Sequence, residues 1–253
     1  MDPLGSGNRF SAEERASLPR RFATRARQNW RFLVVLGCLG IFLVLLEDVL
    51  DGDLMRIDAL AYRIVVEHWR MDWLTPIMEN ISALATPGAI IAMLLVIVAF
   101  APGRRPGWCC AVNIALVTLL NIGIKALVQR PRPDEAIRLV TESGFSFPSG
   151  HSMAAMAFFG LIVWLVWHYE RDRRLRLLLC AAFSLLILAI GISRIYLGVH
   201  YASDVLGGFC ASLIWLAFYT RLAAPLLLGP VPARNRSGSP IPAGGHSPAE
   251  SGE

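Results

Sequence analysis

Six apolar blocks separated by polar segments are the feature of this sequence that most restricts its fold. A helix needs about 20 residues to cross the hydrocarbon core of a bilayer. The chain is 55% hydrophobic and only 17% charged, whereas soluble domains carry about 25% charged residues. The sequence therefore predicts an all-α bundle of six transmembrane helices, at roughly 32–49, 88–101, 108–128, 152–167, 175–192 and 202–228.

Two of these blocks need further explanation. The second and fourth are short for a span, so their helices must extend into flanking polar sequence. Pro87 and Gly88 can start the second helix, or kink one that begins near Leu74.

The first block is followed by Glu47 and Asp48 instead of a small-residue cleavage site, so we interpret it as a retained span and not as a signal peptide.

The arginines predict the orientation of the bundle. They concentrate before the first block, between blocks two and three, between blocks four and five, and after the sixth. The positive-inside rule then places both termini in the cytoplasm, and in a bacterium it places the alternate segments in the periplasm or outside the cell. We expect a basic cytoplasmic segment at 1–31, a membrane domain at 32–228 and a disordered, Pro-, Gly- and Ser-rich cytoplasmic tail at 229–253.

The outward loop at 50–79 contains an amphipathic pattern. Its apolar residues recur at helical spacing and are followed by Trp69 and Trp73; they are Ile57, Leu60, Ala61, Ile64 and Val65. This pattern fits a helix that lies on the outer leaflet. It fits equally well a connecting helix packed on the bundle.

Several other functions are not favoured. The net charge of +5 could indicate nucleic acid, but no basic stripe with interleaved aromatic residues is present. The five cysteines lie in or beside apolar blocks without CxxC spacing, so we interpret them as small buried apolar residues. No HExxH or GxxxxGK[ST] motif occurs, and His68, His168 and His246 receive no role.

The first of three chemically informative stretches ends the third block. Lys125 is followed by Arg132 and Pro133, and the prolines at 131 and 133 forbid a continued helix. A lysine and an arginine supply a point charge and a bidentate fork for a phosphate. The alternative is that these cations snorkel to the lipid headgroups, and Arg130 fits that interpretation better than phosphate binding.

The second stretch precedes the fourth block and reads Pro148-Ser149-Gly150-His151. A helix that begins here presents free backbone N–H groups to an anion. Ser149 can donate a hydroxyl or cap the helix, and His151 can protonate a leaving oxygen. An ordinary helix cap with an interfacial histidine is the alternative.

The third stretch joins the fifth and sixth blocks and contains Ser193-Arg194, His200 and Asp204. His200 and Asp204 are four residues apart, so they share a face if the helix has begun. A carboxylate on one ring nitrogen leaves the other free as a nucleophile. A structural His–Asp pair is the alternative, although ionisable groups at membrane depth are usually functional. The nearby cations would repel a divalent metal ion.

With these residues assembled, the chain resembles the type 2 phosphatidic acid phosphatase family, whose pattern is KxxxxxxRP, PSGH and SRxxxxxHxxxD. All eleven fixed positions match in order, across residues 125–204. Soluble vanadium haloperoxidases share the same anion pocket, but six spans argue against that function. The arginine distribution predicts a site at the extracytoplasmic face, and the resemblance implies that it needs neither metal nor cofactor.

The resemblance also implies roles for individual residues. His200 would attack phosphorus and form a phosphohistidine, Asp204 would orient it, and His151 would protonate the departing lipid oxygen. The groups that hold the phosphate would be Lys125, Arg132, Ser149, Gly150 and Arg194.

We therefore expect an integral membrane phosphatase acting on a lipid phosphate or diphosphate, of the phosphatidate, phosphatidylglycerophosphate or undecaprenyl diphosphate type. A lipid phosphotransferase and a non-catalytic lipid-binding or transport protein stay open as alternatives. The expected partners are a lipid substrate and the bilayer, without nucleic acid, and the oligomeric state stays open.

Overall fold

The computed structural model describes residues 12–52, 55–100 and 105–228, and within these ranges it is helical without a β-strand. Part of the expected 1–31 segment and all of the expected tail at 229–253 lie outside the described residues. The α-helices are α1 (Ala12–Leu50), α2 (Arg56–Ala61), α3 (Thr75–Ala83), α4 (Pro87–Phe100), α5 (Arg105–Val128), α6 (Gly150–Tyr169), α7 (Arg173–Tyr196) and α8 (Ala202–Leu228). A π-helix at Tyr62–His68 continues α2, and a 3₁₀ turn at Glu135–Ile137 lies between α5 and α6.

Five of these helices are long and apolar enough to cross a membrane: the Trp30–Leu50 part of α1, and α5, α6, α7 and α8. They coincide with the first, third, fourth, fifth and sixth apolar blocks. Each of these helices carries large apolar side chains on its outer surface, such as Leu43, Leu119, Trp167, Leu185 and Leu226. Lipid, rather than water, is the solvent that such a surface requires. The predicted all-α membrane bundle is confirmed.

The second span consists of two helices. Helices α3 and α4 meet at a bend of 54°, and the pair has the length and composition of one broken span. Pro87 has no N–H to donate to a continued α3, but it suits the first position of a new helix. Thr86 caps that helix, because its Oγ1 accepts a hydrogen bond from the N–H of Ala89 (3.4 Å). The sequence pattern thus predicted the interruption at Pro87 correctly.

The core of the bundle lies among α5, α6, α7 and α8. Phe158, Leu161 and Ile190 are fully buried there. A polar link joins three of these helices, because Asn113 donates to the Ala157 carbonyl (2.7 Å) and accepts from the Trp215 indole (2.8 Å). Such links stabilise a particular arrangement of helices in an apolar medium, where the same groups would otherwise lack partners.

The loop at 50–79 divides its apolar row between two environments. Val65 and Val66 are buried against the bundle, whereas Ile57, Leu60 and Ile64 stay exposed. The loop is tied down near its end by Arg70, which donates to the carbonyls of Tyr196 (3.0 Å) and Ile137 (2.8 Å). The loop helix therefore packs on the bundle with one face, as the connecting-helix alternative predicts. Its other apolar face is exposed, and contact of that face with the outer leaflet stays a prediction.

Candidate active site

The three motif stretches meet at one end of the bundle. Helices α5 and α7 end, and α6 and α8 begin, at this end of the bundle. Residues 197–201 connect α7 to α8, and a longer segment at 129–149 connects α5 to α6. Two contacts hold these parts together. The Ser149 N–H donates to the Asp204 carbonyl (3.0 Å), and the Lys125 ammonium donates to the Phe145 carbonyl (2.5 Å).

His200 lies in the turn between α7 and α8, with its side chain 1% exposed. Its Nδ1 is 3.3 Å from Asp204 Oδ2, a long hydrogen bond, and its Nε2 is 3.2 Å from Arg132 Nη1. Since a guanidinium can only donate, Nε2 must accept, and the proton of the neutral ring sits on Nδ1 facing the carboxylate. Burial lowers the pKa of His200 to about 4, against the opposing effect of Asp204. The imidazole is therefore neutral at physiological pH.

Asp204 is fully buried in the first turn of α8. Besides His200, its Oδ2 accepts hydrogen bonds from the Ser146 hydroxyl (2.5 Å) and the Tyr201 N–H (2.9 Å). Its Oδ1 accepts from Arg130 Nη1 (2.7 Å). These donors fix the plane of the carboxylate, and through it the orientation of the His200 ring.

Arg132 connects the segment after α5 to the His200 turn. It donates to the carbonyls of Ser143, Gly144 and Val199, each at 3.0 Å. Burial lowers its pKa, although Glu142 and Asp204 oppose the change. An arginine so fully engaged has little freedom to move, so its charge is held in place beside Nε2 of His200.

Arg194 lies in the last turn of α7 and is 2% exposed. Its Nη1 donates to the Ser82 hydroxyl on α3 (2.6 Å), and its Nη2 is paired with Glu142. Its Nε is buried and finds no partner among the residues that the structure describes. A buried donor without a partner is costly, so this nitrogen is suited to an anionic ligand.

Glu142 bridges the two arginines of the site. One carboxylate oxygen pairs with Arg194, and the other lies 3.6 Å from Arg132 Nη2. Burial raises the pKa of Glu142, but the charge and hydrogen bond of Arg194 outweigh this effect and hold it below its usual value. A carboxylate therefore contacts the same cations that a phosphate would need.

The PSGH stretch opens α6 as the sequence suggested. Ser149 is the N-cap, and its Oγ accepts from the N–H (3.4 Å) and the hydroxyl (3.0 Å) of Ser152. This hydroxyl therefore caps the helix, and because it only accepts in these two bonds, its own hydrogen can still be donated to a phosphate. His151 follows in the first turn and lines a cavity of about 280 Å³ with Glu79, Ser82, Thr86, Glu142 and Arg194.

The expectation that Arg130 snorkels to the headgroups is wrong. It is 8% exposed and paired with two buried carboxylates, Asp58 (3.0 Å) and Asp204 (2.7 Å). Its guanidinium also lies over the Tyr201 ring, 4.1 Å from the centroid. Without this cation, Asp58 and Asp204 would be buried charges without a counter-ion, which is costly.

Three further residues of the site escaped the sequence reasoning: Asp58, Glu142 and Ser146. Asp58 left a signal, since it is a carboxylate one residue after Ile57 in an otherwise apolar helical row. Glu142 and Ser146 lie in the irregular segment before Pro148. No periodicity there distinguishes them from Asp134 or Glu135, so their place depends on how the segment folds back over the bundle.

Within the described ranges, no group of three or more His, Cys, Asp or Glu side chains converges as a metal site would require. What converges instead is a neutral imidazole backed by a carboxylate, a second imidazole and three cations, at one end of a membrane bundle. These features define a class: a helical membrane protein with a buried anion site that contains the side chains used in phosphoryl transfer.

Comparison with known proteins identifies the family. The model of the PAP2 superfamily matches residues 106–226. Phosphatidylglycerophosphatase B of Bacillus subtilis is 36% identical over 149 residues, covering 57% of this chain and 73% of that protein. The chain belongs to the PAP2 superfamily, and the resemblance inferred from the three motifs is confirmed.

Other relatives agree with this assignment. Decaprenylphosphoryl-5-phosphoribose phosphatase of Mycobacterium tuberculosis is 35% identical over 130 residues, or 48% of this chain and 63% of that protein. The crystal structure of a transmembrane PAP2 type phosphatidylglycerolphosphate phosphatase from Bacillus subtilis superposes with a TM-score of 0.65 at 28% identity, covering 74% of this chain and 94% of that chain. Aquifex aeolicus LpxE shares the fold, with a TM-score of 0.55 at 24% identity over 67% of this chain and 97% of that chain.

Proposed function

We propose that this protein is a membrane lipid phosphatase that works through a phosphohistidine at His200. The observation that carries the proposal is the pair of contacts of the His200 ring: Nε2 lies beside Arg132, which can only donate, and Nδ1 faces Asp204. This is the arrangement that a nitrogen nucleophile needs. The phosphatase activity named for two relatives supports the same reaction class.

In the first step, His200 Nε2 attacks phosphorus and the bond from phosphorus to the lipid oxygen breaks. His151 donates a proton to that departing oxygen, which requires its imidazolium form; the phosphate dianion bound beside it favours that charged form. Charge develops on the phosphoryl oxygens, and two arginines stabilise it: Arg194, whose buried Nε can donate to these oxygens, and Arg132, whose charge is held beside Nε2 of His200. Lys125 adds a third cation, and the Gly150 N–H at the start of α6 adds a backbone donor.

In the second step, water attacks the phosphohistidine and releases phosphate. His151 now accepts the proton of that water, and the phosphorus–nitrogen bond breaks to restore neutral His200. Asp204 keeps the ring in one orientation through both steps, because its other three hydrogen bonds hold it in place. Each group therefore ends the cycle in the state in which it began.

The cavity beside His151 and Arg194 supports a phosphorylated headgroup as the bound part of the substrate. Its volume of about 280 Å³ is sufficient for such a headgroup, although His200 does not line it. The chains would stay in the bilayer, beside the bend between α3 and α4. The relatives are named for phosphatidylglycerophosphate and for decaprenylphosphoryl-5-phosphoribose, so a panel should include phosphatidylglycerophosphate, phosphatidate, a prenyl diphosphate and a prenyl phosphoribose phosphate.

We further infer that residues 32–228 form the catalytic domain, with both termini in the cytoplasm and the site at the outer face. The arginine distribution supports this orientation. The test is a single cysteine at Ser143, in an otherwise cysteine-free variant, treated with an impermeant thiol reagent in whole cells. Labelling of the cysteine at position 143 supports this orientation. If that cysteine is protected and a cysteine replacing Arg173 is labelled, the orientation is the reverse.

The chemistry is tested by phosphate release from purified His200→Ala protein across the lipid panel. We expect release to fall at least about 10³-fold, because the nucleophile is gone. His168→Ala is the matched control, since His168 lies at the opposite end of α6 and bonds only the Trp164 carbonyl (2.7 Å). Wild-type activity in folded His200→Ala protein would refute His200 as the nucleophile. Transfer of a radiolabelled phosphoryl group to a second lipid would indicate a phosphotransferase.

A further inference from the structure

Arg130 is the centre of a buried polar network that the motifs do not contain. Its Nη1 donates to Asp204 Oδ1 and to the Ser203 hydroxyl, both at 2.7 Å, and its Nη2 donates to Asp58 Oδ2 at 3.0 Å. The side chains of Asp58 and Asp204 are 1% and 0% exposed. One guanidinium therefore balances two carboxylates that water cannot reach.

Asp58 holds the other side of this network. Its Oδ1 accepts from the Ser203 N–H (2.8 Å) and its Oδ2 from the Ser203 hydroxyl (2.7 Å), in the first turn of α8. Asp58 lies in α2, so the outward helix is joined to the residue beside Asp204. The bidentate fork of an arginine can contact both carboxylates at once, which a point charge cannot do.

Arg130 also reaches Asp204 by a second route. Its carbonyl accepts a hydrogen bond from the Ser146 N–H (2.8 Å), and the Ser146 hydroxyl donates to Asp204 Oδ2. The side chain of Arg130 thus fixes one carboxylate oxygen, and its backbone fixes the donor to the other. The Tyr201 ring beneath the guanidinium restricts its remaining freedom.

We propose that Arg130 is a positioning residue for the Asp204–His200 pair, and that Asp58 is its anchor. The inference rests on the proposed function, because it assigns Arg130 to the nucleophile's orientation and not to phosphate binding. Arg130 acts through Asp204, whereas Arg132 and Arg194 contact the anion. Its loss should consequently slow the chemical step and leave phosphate affinity unchanged.

The test compares Arg130→Gln, Arg130→Lys and Asp58→Asn with Arg138→Gln in purified full-length protein. Arg138 belongs to the same outward segment but bonds only the Pro133 carbonyl (2.8 Å) and the exposed Glu135. We expect kcat to fall about 10–100-fold in Arg130→Gln, with KM and the inhibition constant of inorganic phosphate within twofold of wild type. Arg130→Lys should recover part of the loss, and Arg138→Gln should match wild type.

A second measurement does not depend on turnover. In ¹⁵N-histidine spectra, the titration midpoint of His200 should rise by about 1 pH unit in Arg130→Gln, because Asp204 and Asp58 lose their shared cation. The charged and titratable groups that face the pair are Arg130, Arg132, Arg194, Lys125, His151 and Tyr201. Asp58→Asn, which removes a carboxylate, should lower the midpoint slightly.

The outcomes separate the two proposals. Wild-type protein that releases no phosphate from any lipid refutes the proposed function, and the His200 titration still decides the role of Arg130. A wild-type titration midpoint in Arg130→Gln overturns the positioning role, as does a phosphate inhibition constant that rises in parallel with KM. If Arg130→Gln does not fold, kcat and the His200 titration midpoint are measured in Arg130→Lys and Asp58→Asn. Wild-type values of both quantities in both variants overturn the inference.

Discussion

Glu142 should weaken the binding of phosphate, and its replacement by glutamine should tighten it. The carboxylate pairs with Arg194 and lies 3.6 Å from Arg132 Nη2, so it contacts two of the cations proposed to hold the phosphoryl group. A phosphate dianion entering the site must displace this carboxylate or lie beside a like charge. Glu142→Gln removes that charge with little change in shape.

The size of the effect follows from the distances and the exposure. Two unit charges 4 Å apart interact by about 1 kcal/mol in water and about 4 kcal/mol at an effective dielectric constant of 20. The Glu142 side chain is 25% exposed, so its interactions lie toward the lower limit. We therefore expect a gain of about 1–2 kcal/mol, which lowers the inhibition constant of inorganic phosphate about 5- to 30-fold.

The assay measures product inhibition by phosphate at fixed pH and ionic strength. Glu135→Gln is the matched control, because Glu135 belongs to the same outward segment and its side chain is 89% exposed. The gain in phosphate affinity should decrease as the salt concentration increases, because salt screens a partly exposed carboxylate. An inhibition constant that is unchanged or higher in Glu142→Gln would show that Glu142 organises the arginines for phosphate and does not compete with it.

Two further predictions concern the nucleophile and its support. Burial lowers the pKa of His200 to about 4 from 6.5. Therefore kcat/KM, corrected for the substrate's own ionisation, should fall as pH drops through about 4. A fall in the pH–rate profile near pH 6.5 that His200 controls would contradict the neutral-imidazole mechanism. Gly207→Ala would place a methyl group 2.6 and 2.8 Å from atoms of the buried Phe147 ring, so thermal unfolding in detergent should show a loss of about 1–3 kcal/mol, or several degrees. Gly123→Ala on α5, with no atom within 4 Å of the added group, should leave the midpoint unchanged or slightly higher; equal effects at both positions would refute the packing argument.

Much of the membrane architecture was predictable from the sequence, because a span has a length set by the bilayer. The apolar blocks located α5, α6, α7 and α8 within a few residues, and Pro87 marked the broken second span. The bend of 54° between α3 and α4 was not predictable. It depends on how two half-helices pack against α5 and α7, and no local pattern specifies a direction.

The sequence by itself determined the motif residues of the site, because phosphate chemistry needs particular side chains at particular spacings. The motifs predicted roles for His151, Arg194, His200 and Asp204, whereas Glu142 and Ser146 carried no local signal. For Ser149 the sequence offered two roles, a helix cap and a phosphate donor. Its hydrogen bonds from Ser152 show the cap, and the phosphate role stays a prediction.

Tertiary structure alone decided how the charges are paired. Arg130 and Arg132 are two residues apart and chemically identical, yet Arg130 is enclosed between Asp58 and Asp204, while Arg132 is directed toward His200 and Glu142. Asp58 is 72 residues from Arg130 along the chain. Pairing of buried charges depends on distances of a few ångströms between segments far apart in sequence, and those distances exist only once the helices have packed.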